Sequence, residues 1–228
     1  MAGLHADFRA GARDVAPTLP AVLPFGIVAG AAAVDVGFSA IEALGLSVIV
    51  FAGASQLAAI ALIGAGAPAF VVVLTALVIN LRHVMYSASL EPRYRDQSLG
   101  WRASIAYLLV DQVYVMAALR FDADASVDRR WYFVGLGIPV WATWVVGTAA
   151  GVVGGQALPA WLPLDFAVPM VFLALLAPAV ENRARAAAAL AGGGIAVVGT
   201  GLPLNLGLLV GAVGGIVAGV VVDGWWEP

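Results

Sequence analysis

The sequence predicts an all-α fold: a polytopic membrane bundle of about seven or eight transmembrane helices, with an internal two-fold repeat and broken helices. Three observations point there. Of 228 residues, 62% are hydrophobic and only 11% charged, whereas a soluble domain carries roughly 25% charged residues. Mean hydropathy is +0.98. Uncharged runs at 15–34, 43–81, 131–164 and 186–222 match or exceed the ~20 apolar residues that cross a bilayer.

The spans are taken in order. The polar start "MAGLHADFRAGARD" is read as a cytoplasmic segment, residues 1–16, ahead of a single transmembrane domain over 17–228. The first span, 17–36, carries three prolines (Pro17, Pro20 and Pro24) and is read as a retained span, not a cleaved signal peptide. Spans follow at 40–65, 68–90, 103–120, 131–153 and 164–180, and 186–222 forms one long helix or two short ones. The charged connectors are "EPRYRDQSLGWR", "RFDADASVDRR" and "ENRARA". If every span crosses once, Arg9, Arg13, Arg120, Arg129, Arg130, Arg183 and Arg185 share one side, and Arg93, Arg95 and Arg102 take the other. Arginine excess marks the cytoplasmic side, which puts the N-terminus inside.

Two halves, about 17–100 and 131–222, show matching landmarks around a linking helix at 103–120. "FAGASQLAAIALI" from Phe51 aligns with "FAVPMVFLALLAP" from Phe166, and Pro24 with Pro139, both at an offset of 115. "TALVINL" from Thr75 aligns with "TGLPLNL" from Thr200 at an offset of 125. Landmarks kept in order are the mark of a duplicated transporter. The sequence leaves open whether the repeat is parallel or inverted.

Several function classes fall away. There is no cysteine, and the two histidines, His5 and His83, stand far apart, so no metal site is expected. The net charge is −3, and no basic patch with interleaved aromatics supports nucleic-acid binding. No Walker sequence is present, and "GASQ" is not a nucleophile elbow. No catalytic residue, enzymatic activity or cofactor is expected.

The polar residues inside the apolar runs carry the rest. In "LVINLRHVMYSAS", turning 100° per residue puts Thr75, Arg82, Tyr86 and Ser89 on one stripe and Asn80, His83 and Ser87 on the next. Leu74, Leu77, Val78, Leu81, Val84, Met85 and Ala88 fill the opposite arc, which faces lipid or a partner helix. Asp111 in "YLLVDQVYV" is nine residues from both Arg102 and Arg120, near the midplane. A carboxylate there costs several kcal/mol unless paired, hydrated or protonated. Arg82 is the obvious cation to pair with it, and a protonatable acid facing a cavity is the alternative. Ser55 and Gln56 sit at a candidate helix break, where they bond neighbouring helices or hold a substrate. Gly201, Pro203 and Asn205 mark a second break. Asp165 in "LPLDFAVP" reads as a helix cap or a further site residue. The candidate substrate-binding residues are therefore Ser55, Gln56, Asn80, Arg82 and Asn205, and the candidates for proton or charge coupling are His83, Asp111 and Asp165.

"PFGIVAG", "FAGASQ", "NLRHVMYSASL" and "LPLDFAVPMVFLALL", in that order, resemble the AzlC family, the large subunit of bacterial branched-chain amino acid exporters linked to azaleucine resistance. The resemblance covers about 8–222 and implies export of valine, leucine, isoleucine or analogues across a bacterial or archaeal cytoplasmic membrane, with a small AzlD-type membrane subunit as partner. It transfers no residue-level mechanism. A zwitterion needs a cation for its carboxylate and acceptors for its ammonium. Arg82 or a helix N-terminus suits the first, and Asp111, Gln56 or Asn80 the second. An exporter of another small metabolite and a non-transporting membrane scaffold stand as alternatives.

Overall fold

Three prolines do not break the first span, because two fall where a helix tolerates them. The computed structural model describes residues 2–155, 180 and 182–226. Its α1 (Ala2–Val15) passes through a 3-10 turn (Ala16–Thr18) into α2 (Leu19–Asp35). Pro17 and Pro20 lie in first turns, where a missing N–H costs little, and only Pro24 is interior. Residues 2–16 are thus the first part of this rod, and Ala6–Asp35 is long and apolar enough to span as one 30-residue unit.

The rod lies along α8 (Arg129–Gly155). Phe8 meets Gly135, Gly26 meets Gly147, and Ala31 meets Gly155, so the two run parallel. Their backbones touch: a Cβ on Gly30 would stand 2.1 Å from the carbonyl oxygen of Thr148, and one on Gly151 would stand 2.0 Å from that of Ile27. Small residues give membrane helices this close approach.

The expected single span at 40–65 is instead a helical hairpin. Ser39 and Glu42 form a capping box that starts α3 (Ala40–Ile49), the chain unwinds through Phe51 and Ala52, and α4 (Gly53–Gly64) begins. Ala43 and Ile60 both pack with Ala33 and Val152, Ser47 bonds Thr148, and Gly64 meets Val36. The chain therefore descends from the far end of α2 to mid-bundle and returns to that same end. Arms of 10 and 12 residues extend about 15–18 Å, half of a roughly 30 Å hydrocarbon core.

The expected linking helix at 103–120 is a second hairpin, entering from the opposite end. It consists of α6 (Leu99–Tyr107) and α7 (Asp111–Ala123), with an extended break at Val110. Trp101 packs on Trp131 and Phe121 on Tyr132, so both ends lie beside the start of α8, while Leu108 reaches Gly137 at the tip. Non-helical backbone is tolerated at membrane depth only where protein covers it. Phe51, Ala52, Leu108 and Leu109 are accordingly all at most 5% exposed.

Between the hairpins, α5 (Ala69–Tyr94) runs antiparallel to α8, ending where Tyr94 packs against Phe121 and Phe133. Its apolar arc faces outward as anticipated: Leu77, Leu81, Val84 and Met85 are each more than half exposed, and Thr75 is fully buried. The helix is regular through Asn80, so this residue marks no irregularity matching the one at Asn205. Run 186–222 resolves into α9 (Arg183–Val198) and α10 (Gly207–Trp226), antiparallel across Gly192, Gly211 and Gly215 and joined by 3-10 turns at Gly199–Gly201 and Pro203–Asn205. The expected span at 164–180, save its last residue, lies outside the described residues. Five described helices, counting the rod as one, are long and apolar enough to cross a membrane.

The order span, hairpin, span, hairpin, span has a shorter period than the sequence offset. Ala40 to Leu99 is 59 residues, Gly53 to Asp111 is 58, and Ala69 to Arg129 is 60. Successive units are inverted, and two steps restore the direction. That is why Pro24 and Pro139, 115 residues apart, lie on parallel helices. The hairpins also redistribute the arginines. Arg9, Arg13, Arg93, Arg95, Arg102, Arg120, Arg129 and Arg130 all lie towards one end of the bundle, correcting the expected placement of Arg93, Arg95 and Arg102 on the other side.

Candidate functional site

The hairpin tips meet at mid-bundle. The rings of Phe51 and Tyr107 stand 6.0 Å apart, the Tyr107 hydroxyl donates to the Val48 carbonyl, and Trp141 Nε1 donates to the Tyr107 oxygen at 2.7 Å. Beside this contact is a cavity of about 230 Å³. Its apolar wall comes from Val22 and Phe25 of α2, Phe51 and Leu57 of the first hairpin, and Val140 and Trp144 of α8. Its charged lining is Arg82 of α5 and Asp111 of α7.

Arg82 Nη1 donates to Asp111 Oδ2 at 2.6 Å, and the Tyr86 hydroxyl donates to Asp111 Oδ1 at 2.9 Å. Arg82 and Tyr86 are one helical turn apart, so α5 presents both to one carboxylate. Tyr86 is fixed in turn by stacking on Tyr114 at 4.3 Å, whose hydroxyl bonds Ser89 Oγ at 3.0 Å. Asp111 does lie deep in the bundle, for a different reason than helix length implied: it opens α7 at the hairpin tip. The partial positive charge of a helix N-terminus favours a carboxylate there.

Ser55, Gln56 and Asn80 come together behind the cavity rather than on its lining. Asn80 Nδ2 donates to Ser55 Oγ at 3.0 Å, Ser55 Oγ donates to the carbonyl of Ala52 at 3.0 Å, and Gln56 Nε2 donates to Ser47 Oγ at 2.7 Å. Ser47 Oγ and Thr148 Oγ1 are 2.8 Å apart. This network ties α3, α4, α5 and α8 where the first hairpin unwinds. The ring of His83 sits edge-on to Tyr86 at 6.0 Å, off the cavity lining. The backbone of Asn205 lies in the turn between α9 and α10. Asp165 lies outside the described residues. Among the described residues no group of acidic or histidine side chains could hold a metal ion.

Sequence reasoning placed Tyr86 on the polar stripe without giving it a role, and it missed Tyr107, Ser47 and Thr148 altogether. Single hydroxyls in apolar runs carry no local signal; only the fold shows what they meet.

These features define a polytopic helical membrane protein whose polar centre is built by two opposed helical hairpins. The chain belongs to the AzlC family: the family model described as AzlC protein matches residues 17–158. An uncharacterized membrane protein of Archaeoglobus fulgidus is 30% identical over 224 residues, 96% of this chain and 95% of that one. The inner membrane protein YgaZ of Escherichia coli is 29% identical over 187 residues, 78% of this chain and 75% of the relative. A Bacillus subtilis protein named branched-chain amino acid transport protein AzlC is 29% identical over 198 residues, covering 85% and 76% of the two chains. No solved structure matches significantly.

Proposed function

We propose that the protein is a secondary transporter subunit that exports branched-chain amino acids across the cytoplasmic membrane together with a small AzlD-type membrane subunit. The observation that carries the reading is the cavity between the hairpin tips, where one guanidinium and one carboxylate face an apolar wall. A small aliphatic zwitterion needs those three elements, and about 230 Å³ lies below the ~300–1,000 Å³ of drug-sized pockets. The name of the Bacillus subtilis relative supports the substrate class.

Arg82 receives the substrate carboxylate and Asp111 the ammonium, with Ser55, Gln56 and Asn80 holding the unwound segment beside them. Asn205 and Asp165 remain proposed members of the site. Asp111 and His83 are the proposed carriers of proton coupling. The eight arginines gathered at one end support a cytoplasmic location for that end and for the N-terminus.

The test is efflux of labelled valine from cells and proteoliposomes, with and without the small subunit. Asp111→Asn and Arg82→Gln should each lower efflux at least tenfold while leaving a monodisperse protein. Valine flux that ignores an imposed pH gradient would refute the proton coupling. Unchanged flux in both variants would refute the site.

A further inference from the structure

The charged groups on the cavity lining are already joined to each other. Arg82 holds Asp111 through Nη1, while its Nε is buried and has no hydrogen-bond partner among the described residues. Asp111 has two supports that do not depend on Arg82: the Tyr86 hydroxyl at 2.9 Å and its position at the first turn of α7. The side chains of Arg82 and Asp111 are 27% and 48% exposed, and both border the cavity. The pair therefore borders the cavity, with Asp111 held by two further supports and Arg82 making its one hydrogen bond among the described residues to Asp111.

From this arrangement we infer that the Arg82–Asp111 pair is a specificity device, opened only by a ligand that brings both charges. This deepens the transport reading and rests on it. Separating the pair without replacing either contact leaves a cation and an anion short of partners beside an apolar wall, which is costly. A monocarboxylate satisfies Arg82 and strands Asp111, and an amine does the reverse. A zwitterionic α-amino acid satisfies both, exchanging one internal ion pair for two intermolecular ones with no change in the charge of the site. Anchored by Tyr86 and α7, Asp111 stays in place for the ammonium while Arg82 rotates to the carboxylate. Discrimination between zwitterions and singly charged analogues thus comes from the pre-existing pair. The apolar wall then sorts among side chains.

The experiment measures binding to the full chain in lipid nanodiscs with three probes: L-valine, 3-methylbutanoate, which lacks the ammonium, and 2-methylpropylamine, which lacks the carboxylate. Wild type should favour valine over each analogue by at least about tenfold, as expected where a charged partner is left unpaired. Asp111→Asn should reverse the order towards 3-methylbutanoate, and Arg82→Gln towards 2-methylpropylamine. The double variant carries no unpaired charge and guards against misfolding of the single ones; it should discriminate less than about threefold. Arg82→Lys should keep the wild-type order. Uniform weakening in Asp111→Asn, with valine still preferred tenfold, overturns the inference and leaves the transport reading standing. A folded wild type that binds none of the probes overturns both.

Discussion

The hydroxyl of Tyr107, at the tip of one hairpin, donates to the backbone carbonyl of Val48, at the tip of the other. That carbonyl belongs to the last turn of α3, where no intrahelical donor follows, so a side chain from the opposite hairpin completes it. Trp141 Nε1 in turn donates to the same hydroxyl at 2.7 Å. Tyr107→Phe leaves an orphan carbonyl and an orphan indole N–H while preserving the ring contact with Phe51. A loss of about 0.5–1.5 kcal/mol is expected, read as a lower melting temperature in detergent. Equal melting of variant and wild type would mean that the tips are held by apolar packing alone.

The rod formed by α1 and α2 and its parallel neighbour α8 should be intolerant of a single methyl group. At Gly30 that methyl would lie 2.1 Å from the Thr148 carbonyl oxygen, a backbone atom that moves only if the helix moves. Gly30→Ala is therefore expected to cost about 1–3 kcal/mol and to lower the folded yield. Gly154 lies on the same α8, and among the described residues no atom is near its missing Cβ. Gly154→Ala should instead stabilise by roughly 0.5–1 kcal/mol, through helix propensity alone. Thermal melts of the two variants side by side separate backbone contact from a general effect of replacing glycine.

Composition and run length sufficed to read the membrane class and the spans at 68–90 and 131–153, because each is a helix long enough to cross. The 100° rotation placed Arg82, Tyr86 and Thr75 on the inward side of α5, and the unpaired-charge argument selected Asp111 as Arg82's partner; the 2.6 Å contact agrees. The hairpins were harder to see. At 40–65 the apolar length fits one crossing or two half-crossings equally well, and only "FAGAS" hints at a break. At 103–120 even that hint is missing: Leu108, Leu109 and Val110 are ordinary helix residues, and the break exists because Tyr107 and Asp111 find partners on other helices. Side-chain contacts between remote segments set that geometry, so local pattern does not carry it.

The connection before α8 offers a test of acid sensitivity outside the membrane-spanning segments. Asp128 Oδ1 accepts from the backbone N–H groups of Arg130 at 3.1 Å and Trp131 at 3.4 Å, and both its oxygens accept from the Arg130 guanidinium. Hydrogen bonding to Arg130, then to those amides, holds its carboxyl below the ordinary value of 3.8. Since the native value is depressed, the stabilisation is complete above the ordinary value and is lost as pH falls through the native one. Asp128→Asn should thus melt below wild type at neutral pH, by roughly 0.3–1 kcal/mol for the negative charge lost at the start of α8. The gap should close progressively below about pH 4. A gap constant down to pH 3 would show that the charge of Asp128 contributes nothing.

The absence of native cysteine makes the hairpins directly testable by single-cysteine labelling. If each apolar run crossed once, Ala65 and Ala125 would share the N-terminal side and Ser98 would lie opposite. With two hairpins, Ser98 and Ala125 share the arginine-rich side and Ala65 changes sides. All three are exposed in connections or at helix ends, so substitution leaves the packing undisturbed. In sealed right-side-out vesicles, a membrane-impermeant maleimide should label Ala65→Cys, whereas Ser98→Cys and Ala125→Cys should react only after permeabilisation. The contrast between Ser98 and Ala65 is decisive, because the two topologies assign them opposite sides. External labelling of Ser98→Cys with protection of Ala65→Cys would restore two full crossings. The meeting of Phe51 and Tyr107 at mid-bundle would then be untenable, and with it the cavity beside them.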